Sequence, residues 1–347
     1  MKILYAVQGT GNGHISRARD IIPLLKKKAE VDILVSGTQA DLDLGEKIDF
    51  YRKGLSFIFG KKGGVDLKRT FKEVNFFKFF KEVYNFPVKE YDLVINDFEP
   101  VSAWAAKFKG VHCVSLSHQC ALLFENTPTP KKTDWLGNSI LRFYAPSREK
   151  YGFHFMKNHP KIFTPVIRDQ VRKVCIAQEG HYTVYLPSFS EDYLIKKLSK
   201  IKNARWEVFS KHTKRPFEYN GISVYPLNNE KFIESMAKSN GVLCGAGFET
   251  PAEALFLKKK LVVIPMKNQA EQQYNATALK EMGVPVLKNF KKHNIVRLQF
   301  WVDYGETIKV NYVNQTENIL NTILDNEYYA RHKKYSDIVS SAFEMNT

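Results

Sequence analysis

Cysteine is scarce in this chain, and the four that occur are scattered along it: Cys113, Cys120, Cys175 and Cys244. They have neither the spacing of a zinc site nor the density of a disulfide framework, so we expect no metal and a reducing, cytoplasmic environment. Long hydrophobic runs are also lacking, because no stretch approaches the roughly 18 apolar residues of a membrane-spanning helix. The first apolar run, 3–7, is too short for a signal peptide. The sequence thus predicts a soluble or peripherally bound protein.

Acidic residues are outnumbered, since 36 of them against 52 basic residues give a net charge of +16. The lysines come in short runs spread along the whole chain, which is typical of a solvated surface. No nucleic-acid-binding motif accompanies them, so a nucleic-acid partner is not expected. Attraction to an anionic membrane surface is the alternative that this charge leaves open.

The length of 347 residues and the hydrophobic content of 44% favour two domains with large cores. Apolar strand patterns alternate with helical ones, which indicates α/β architecture with doubly wound parallel sheets. Helical periodicity lapses between Lys157 and Gly180, where Pro160 and Pro165 occur. We therefore predict domains at 1–165 and 166–347.

The first motif that carries chemistry is a strand, Ile3–Val7, followed by a glycine-rich loop that ends at His14 and then by a helix. Backbone N–H groups at such a helix start form an anion site. A dinucleotide-binding fingerprint is the competing interpretation, but His14 stands where its third glycine belongs. The next strand, Val31–Val35, is followed by no acidic residue that could hold an adenosine ribose. NAD binding is therefore not expected.

A second strand, loop and helix lie in the C-terminal half. The apolar run Gly241–Cys244 leads into two glycines, after which Thr250 is a candidate N-cap and Pro251 suits the first helical position. The start of this helix would bind an anion, and Glu253, one turn further on, could accept hydrogen bonds from a ribose. The amide-rich segment Gln269–Asn275 is suited to sugar hydroxyls. Phosphate, ribose and sugar would each have a partner.

This order of a glycine loop, Glu253, an apolar strand ending in Pro265 and then Glu271-Gln-Gln-Tyr-Asn-Ala resembles the nucleotide-sugar half of GT-B glycosyltransferases. The similarity covers 224–285 and is closest to the UDP-glycosyltransferases and to the bacterial family that forms lipid II. It implies two Rossmann-like domains facing a cleft, with a C-terminal helix, about 330–347, crossing back to the first domain. It also implies activity without a metal or other cofactor. Gly245 replaces a histidine of the plant-type enzymes, which favours bacterial lipid- or polymer-acceptor relatives.

The resemblance also implies roles for individual residues. His14 would be the base that takes a proton from the acceptor hydroxyl, and Asp97 would orient it and support its charge. The acceptor side would comprise Gly11, Asn12, Gly13, Glu99 and His118. The donor side would comprise Ser188, Ser190, Leu227, Gly245, Ala246, Gly247, Phe248, Thr250, Glu253, Glu271, Gln272 and Gln273.

The function implied is an inverting transfer of a hexosyl or N-acetylhexosaminyl group from a nucleotide sugar, with UDP as the expected nucleotide, to a lipid-linked or cell-envelope hydroxyl. Two other functions stay open: a nucleotide-sugar 2-epimerase of the same fold, and a non-catalytic binder of nucleotide sugars or polyanions. At the level of single residues, His14 could instead cap its helix or bind an acceptor phosphate. Asp97 could instead cap the helix after Pro100.

One further segment, Phe71–Phe86, is rich in aromatic residues at helical spacing. Its aromatic and apolar side chains cover a wide arc, and Lys78 and Lys81 lie opposite. A helix buried against its own sheet would show this pattern. A helix lying on an anionic lipid surface would show it too, and that would bring the protein to the inner face of the cell membrane.

Overall fold

A computed structural model of the protein describes residues 1–10, 12–37, 44–55, 75–131, 135–329 and 332. Gly11, the first residues of the aromatic segment (71–74) and most of the expected crossing helix at 330–347 lie outside the described residues. Within those ranges, no helix is long and apolar enough to cross a membrane.

The first sheet is parallel throughout and has seven strands in the order β3-β2-β1-β4-β5-β6-β7. Its central strands are apolar and buried on both faces, as expected where helices cover a parallel sheet. Val7 on β1 pairs with Asp97 on β4, so the segments after these two strands leave the sheet side by side. The strands are β1 (Lys2–Gln8), β2 (Glu30–Ser36), β3 (Phe50–Arg52), β4 (Leu93–Asp97), β5 (Cys113–Ser117), β6 (Glu149–Phe153) and β7 (Ile162–Phe163).

The second sheet has six strands in the order β10-β11-β9-β8-β12-β13, and its chain direction reverses only at the edge strand β10. That antiparallel strand is missing from the sequence-based prediction. Asn220 and Gly221 join it to β11 with φ angles of 50° and 72°, the left-handed conformation of a tight hairpin turn. The strands are β8 (His181–Tyr185), β9 (Arg205–Ser210), β10 (Phe217–Tyr219), β11 (Ile222–Pro226), β12 (Gly241–Cys244) and β13 (Lys260–Val263).

Helices connect the parallel strands or follow the last strand, β13. They are α1 (Asn12–Lys26), α2 (Phe76–Asn85), α3 (Pro100–Lys109), α4 (His118–Ala121), α5 (Trp135–Phe143), α6 (Asp169–Lys173), α7 (Glu191–Leu198), α8 (Asn229–Lys238), α9 (Glu249–Phe256), α10 (Ala270–Glu281), α11 (Lys292–Tyr304) and α12 (Thr316–Leu324). Residues 164–180 connect the two sheets and belong to neither, so the domain limits of 1–165 and 166–347 stay a prediction.

The C-terminal segment returns to the first domain, as predicted, but it does so before residue 330. Glu317 on α12 pairs with Lys28 at 3.0 Å. Glu327, in the wider turn that follows α12, accepts a hydrogen bond from Tyr151 at 2.7 Å and lies 3.1 Å from His112. Each of these partners belongs to the first domain.

Helix α2 begins at Phe76, where the Asn75 side chain accepts a hydrogen bond from the Lys78 N–H at 2.9 Å. Phe79 and Val83 are buried in a cluster with α3 and the neighbouring strands. The opposite side of the helix is open, because Phe77 is 87% exposed and Tyr84 is 79% exposed. One face of α2 is therefore buried against its own domain, as the first interpretation predicts, and an aromatic face remains exposed to solvent.

Candidate functional site

His14 and Asp97 meet at the carboxyl edge of the first sheet. His14 lies in the first turn of α1, and its Nδ1 is 2.8 Å from Asp97 Oδ1 at the end of β4. Asp97 is fully buried, whereas 12% of the His14 side chain is exposed. A carboxylate can only accept, so Nδ1 carries the hydrogen and Nε2 is left as a proton acceptor. The pairing predicted from the sequence is therefore geometrically present.

Arg17 is a central residue of this site that the sequence reasoning missed. Its Nη2 donates to both oxygens of Asp97 at 2.8 Å, and its Nε donates to Oδ2 at 3.1 Å. Its Nη1 donates to Glu249 of the second domain. The guanidinium thus holds the His14 partner and bridges the cleft. Its position three residues after His14, on the same helix face, is the signal that could have identified it.

The charged groups of this cluster shift one another's pKa values. Burial alone would raise the pKa of Asp97, but the nearby Arg17 and His14 outweigh it and hold the pKa below its usual value. Burial raises the pKa of Glu249 to about 7, a rise that Arg17 opposes and Glu253 increases. Glu249 therefore changes its charge near neutral pH.

Helix α9 begins at Glu249, two residues before the expected first position at Pro251, so the assignment of Thr250 as N-cap is wrong. Phe248 occupies the cap position and no side chain caps the helix. Because the first N–H groups of a helix have no partner within it, those of α9 are available to an anion. A Cβ added at Gly247 would meet nothing within 4 Å, so the loop before the helix has open space beside it. Gly13 is tighter, since its Cβ would lie 3.1 Å from Glu249 Cγ.

Glu253, the carboxylate expected to hold a ribose, is buried and paired with an arginine. Only 2% of the residue is exposed, and its two oxygens accept hydrogen bonds from Arg168 Nε and Nη2 at 2.5 and 2.7 Å. Arg168, in the segment between the sheets, also donates to Asn229 Oδ1 at 2.6 Å. The connecting segment therefore fixes the position of the carboxylate expected to hold ribose.

Two expected acceptor ligands have structural partners instead. Glu99 is fully buried and caps α3, because its oxygens accept from the N–H groups of Val101 and Ser102 at 2.7 and 2.6 Å. His118 is 1% exposed, and its ring stacks on Phe248 of the second domain with centroids 3.8 Å apart. Its nitrogens lie close to two protein oxygens, Phe153 O and Asn275 Oδ1. Glu99 and His118 thus have protein partners, and the expectation that they contact an acceptor stays a prediction.

The acidic and amide residues of α10 divide by their contacts. Gln272 Oε1 accepts from the Met266 N–H, and Gln273 Nε2 donates to the Met266 carbonyl, so both hold the preceding loop. Glu271 instead reaches across the cleft, where its Oε2 accepts from Gln119 Nε2 at 3.1 Å. A pocket of ≈ 340 Å³ adjoins this loop and is lined by Pro130, Lys267, Asn268, Gln269, Ala270, Gln273 and Tyr274.

The remaining residues expected to bind the donor differ in whether they already hydrogen-bond to other parts of the protein. Ser190 caps α7 by accepting from the Tyr193 N–H at 3.4 Å, whereas Ser188 lies in the preceding loop. The Leu227 N–H donates to the Ser210 carbonyl at 2.9 Å, which leaves its own carbonyl for a base. Ala246 and Phe248 are buried, and Gly245 donates its N–H to Tyr185.

Comparison with known families gives one extensive match. The model described as glycosyl transferase family 1 matches residues 1–302. No curated protein matches at a significant level.

Solved structures match across both domains. MurG of Acinetobacter baumannii is 14% identical, with 86% of this chain and 89% of that one covered and a TM-score of 0.52. UGT2 of Phytolacca americana, complexed with UDP-2-fluoro-glucose and pterostilbene, is 12% identical, with 98% of each chain covered and a TM-score of 0.55. A UDP-N-acetylglucosamine 2-epimerase is 13% identical over 95% of this chain and 97% of that one, at a TM-score of 0.54. At these identities the similarity shows the fold, and it confirms the predicted GT-B architecture.

Proposed function

The chain belongs to glycosyl transferase family 1, and we propose that it transfers a sugar with inversion from a UDP-linked donor to an acceptor hydroxyl. The observation that carries this proposal is the His14–Asp97 pair, which faces the uncapped start of α9 across the cleft. A proton acceptor and a candidate diphosphate site on opposite walls are what a single displacement at the sugar requires.

In this scheme His14 Nε2 takes the proton of the acceptor hydroxyl while the hydroxyl oxygen bonds to the anomeric carbon. The bond from that carbon to the diphosphate breaks on the opposite face, and the nucleoside diphosphate leaves with the electron pair. The imidazolium that forms is stabilised by Asp97, which Arg17 keeps in place. A positioned base of this kind contributes about 10²–10⁴-fold to the rate.

The donor would bind along the second domain. Its diphosphate fits the free N–H groups at the start of α9 and the space beside Gly247. Glu253, oriented by Arg168, would accept from the ribose hydroxyls, and the Leu227 carbonyl and Ser188 would contact the rest of the nucleotide. Preorganised N–H groups offset the charge of the leaving diphosphate, so we expect activity that survives EDTA.

The sugar would lie between Glu271 and His14. Glu271 is the acidic residue of α10 whose side chain crosses the cleft, which supports it as the ligand of the sugar hydroxyls. Gln272 and Gln273 would act on the sugar indirectly, through the loop at Met266 that they hold. Gly13 and Asn12, at the start of α1, would line the acceptor side near His14.

Helix α2 belongs to the first domain, the proposed acceptor side, and one of its faces is open. We propose that Phe77, Phe80 and Tyr84, all exposed, lie against an anionic lipid surface and bring a lipid-linked acceptor to His14. The net charge of +16 supports this attraction, to which each lysine near such a surface contributes about 1 kcal/mol.

A panel of nucleotide sugars tests the proposal. A ligand that binds the folded protein raises its melting temperature, so the cognate donor should give the largest shift among UDP- and dTDP-linked sugars. Each donor is then incubated with the protein and without an acceptor. Slow release of UDP supports a transferase, formation of an epimeric nucleotide sugar would establish the 2-epimerase instead, and binding without any product would leave a non-catalytic binder.

A further inference from the structure

Gln119 joins the two halves of the site from the short helix α4, directly after β5. Only 5% of the residue is exposed. Its Nε2 donates to Glu271 Oε2 at 3.1 Å and lies 3.3 Å from His14 Nε2. One amide nitrogen therefore contacts both the proposed base and the proposed ligand of the sugar.

The contact with Glu271 fixes the orientation of this amide. A carboxylate accepts hydrogen bonds, so the NH₂ end of Gln119 faces Glu271, and the amide oxygen in that position would be repelled. The second N–H of the same group is then available to His14 Nε2. This agrees with the other side of the ring, where Nδ1 donates to Asp97. Gln119 thus occupies the lone pair on which base catalysis depends.

The other end of the amide is unsatisfied. Gln119 Oε1 is buried and has no hydrogen-bond partner within the described part of the chain. An unpaired buried acceptor is unfavourable, so a hydroxyl that donates to this oxygen would stabilise the amide in a new position. A hydroxyl of the acceptor entering beside Glu271 has the required chemistry.

We infer that Gln119 is a positioning residue that covers His14 Nε2 until the acceptor arrives. The acceptor hydroxyl replaces the Gln119 N–H at Nε2, and Gln119 turns its oxygen towards a substrate hydroxyl. While the cover is in place, His14 activates water against a bound donor more slowly. The purpose of the cover rests on the proposed function, whereas the cover itself is a property of the free protein.

Reaction with diethyl pyrocarbonate measures the cover without any substrate, because this reagent modifies an imidazole nitrogen with a free lone pair. The rate of modification at His14 is the total rate of histidine modification in a protein minus the total rate in the same protein with His14→Ala. Gln119→Met keeps the side-chain length and removes both polar ends. We expect His14 to react about fivefold faster in it, the factor that corresponds to losing a hydrogen bond of about 1 kcal/mol.

Two other variants complete this experiment. Gln299→Met is the matched control, since Gln299 is a half-buried glutamine outside the site that also donates to a carboxylate, Asp303, and its loss should leave the rate unchanged. Glu271→Gln keeps Gln119 but frees its orientation, so it should accelerate the reaction too. If His14 reacts at the wild-type rate in both Gln119→Met and Glu271→Gln, the inference is overturned. Both variants keep a side chain of similar size beside His14, so an unchanged rate would mean that packing and not the hydrogen bond protects the ring.

Donor hydrolysis provides a second readout. UDP-glucose and UDP-N-acetylglucosamine are incubated without an acceptor, and Gln119→Met should release UDP about fivefold faster than the wild type. If both proteins bind a donor and hydrolyse it at the same rate, the claim that Gln119 slows the activation of water by His14 is refuted. Faster modification of His14 in a protein that binds neither donor in calorimetry would instead refute the proposed function and leave the cover established.

Discussion

Glu249→Gln should make the protein more stable at alkaline pH and leave its stability nearly unchanged at acidic pH. Glutamine has the shape of a protonated glutamate and can still accept the hydrogen bond from Arg17. Burial raises the pKa of Glu249 from its ordinary value of 4.5 to about 7, with Arg17, Glu253, His14 and Asp97 as the charged or titratable groups that face it. Between about pH 4.5 and pH 7, the folded protein therefore holds a proton on Glu249 that the unfolded chain has already released.

The sign and size follow from proton linkage. Where the folded state binds more protons than the unfolded state, stability falls as pH rises, and here this applies from about pH 4.5 to about pH 7. At about 1.4 kcal/mol for each pH unit, ionisation of Glu249 costs about 3 kcal/mol, and the cost is complete above pH 7. Glu249→Gln avoids it, so the variant should exceed the wild type by about 3 kcal/mol at pH 8 and by less than about 1 kcal/mol at pH 5.

Urea unfolding of both proteins at pH 5, 6.5 and 8 measures this difference. Every other titrating group is common to the two proteins and cancels from the difference between their unfolding free energies. Glu281→Gln, at an exposed position, is the control and should follow the wild type at all three pH values. If the Glu249→Gln difference does not change with pH, the reasoning about this cluster is wrong.

Three other changes address separate parts of the account. Asp97→Asn should slow turnover by about 10²-fold, because the imidazolium of His14 loses its counter-charge, while UDP affinity in calorimetry should not change. Glu253→Gln should weaken UDP binding by about 1–3 kcal/mol and also lower the melting temperature, since buried Arg168 loses its charged partner; equal affinity would remove Glu253 from the donor site. Phe77→Ser with Phe80→Ser should abolish co-sedimentation with anionic vesicles at low salt and preserve the melting temperature. A wild-type protein that does not bind such vesicles would refute the membrane proposal.

Local sequence patterns were sufficient for the architecture. Short apolar runs, each followed by glycines and a helical period, predicted the parallel sheets because buried strands and their connections have distinct periodicities. The hairpin at Asn220 and Gly221 was missed although this dipeptide is a strong turn signal. Thr250 was misassigned because its residue type is typical of an N-cap, although it is the second residue of the helix that starts at Glu249.

The charged contacts of the site could not be predicted in the same way. Arg17 pairs with residues 80 and 232 positions away, and Gln119 with one 152 positions away. Arg17 meets Asp97 only when the first domain folds, and it meets Glu249 only when the two domains pack, as Gln119 meets Glu271. The identity of these distant partners is therefore not encoded in local periodicity. The same limit applies to Glu253, whose partner Arg168 comes from the connecting segment 85 residues away.

The most direct test of the central claim is the effect of His14→Ala on turnover of the UDP-sugar that the wild type binds. The account predicts an unchanged affinity for UDP in calorimetry and a rate of UDP release lowered by about 10²–10⁴-fold, because the base is lost while the donor site is intact. Turnover by His14→Ala at the rate of the wild type would contradict it and reduce His14 to a structural residue at the start of α1.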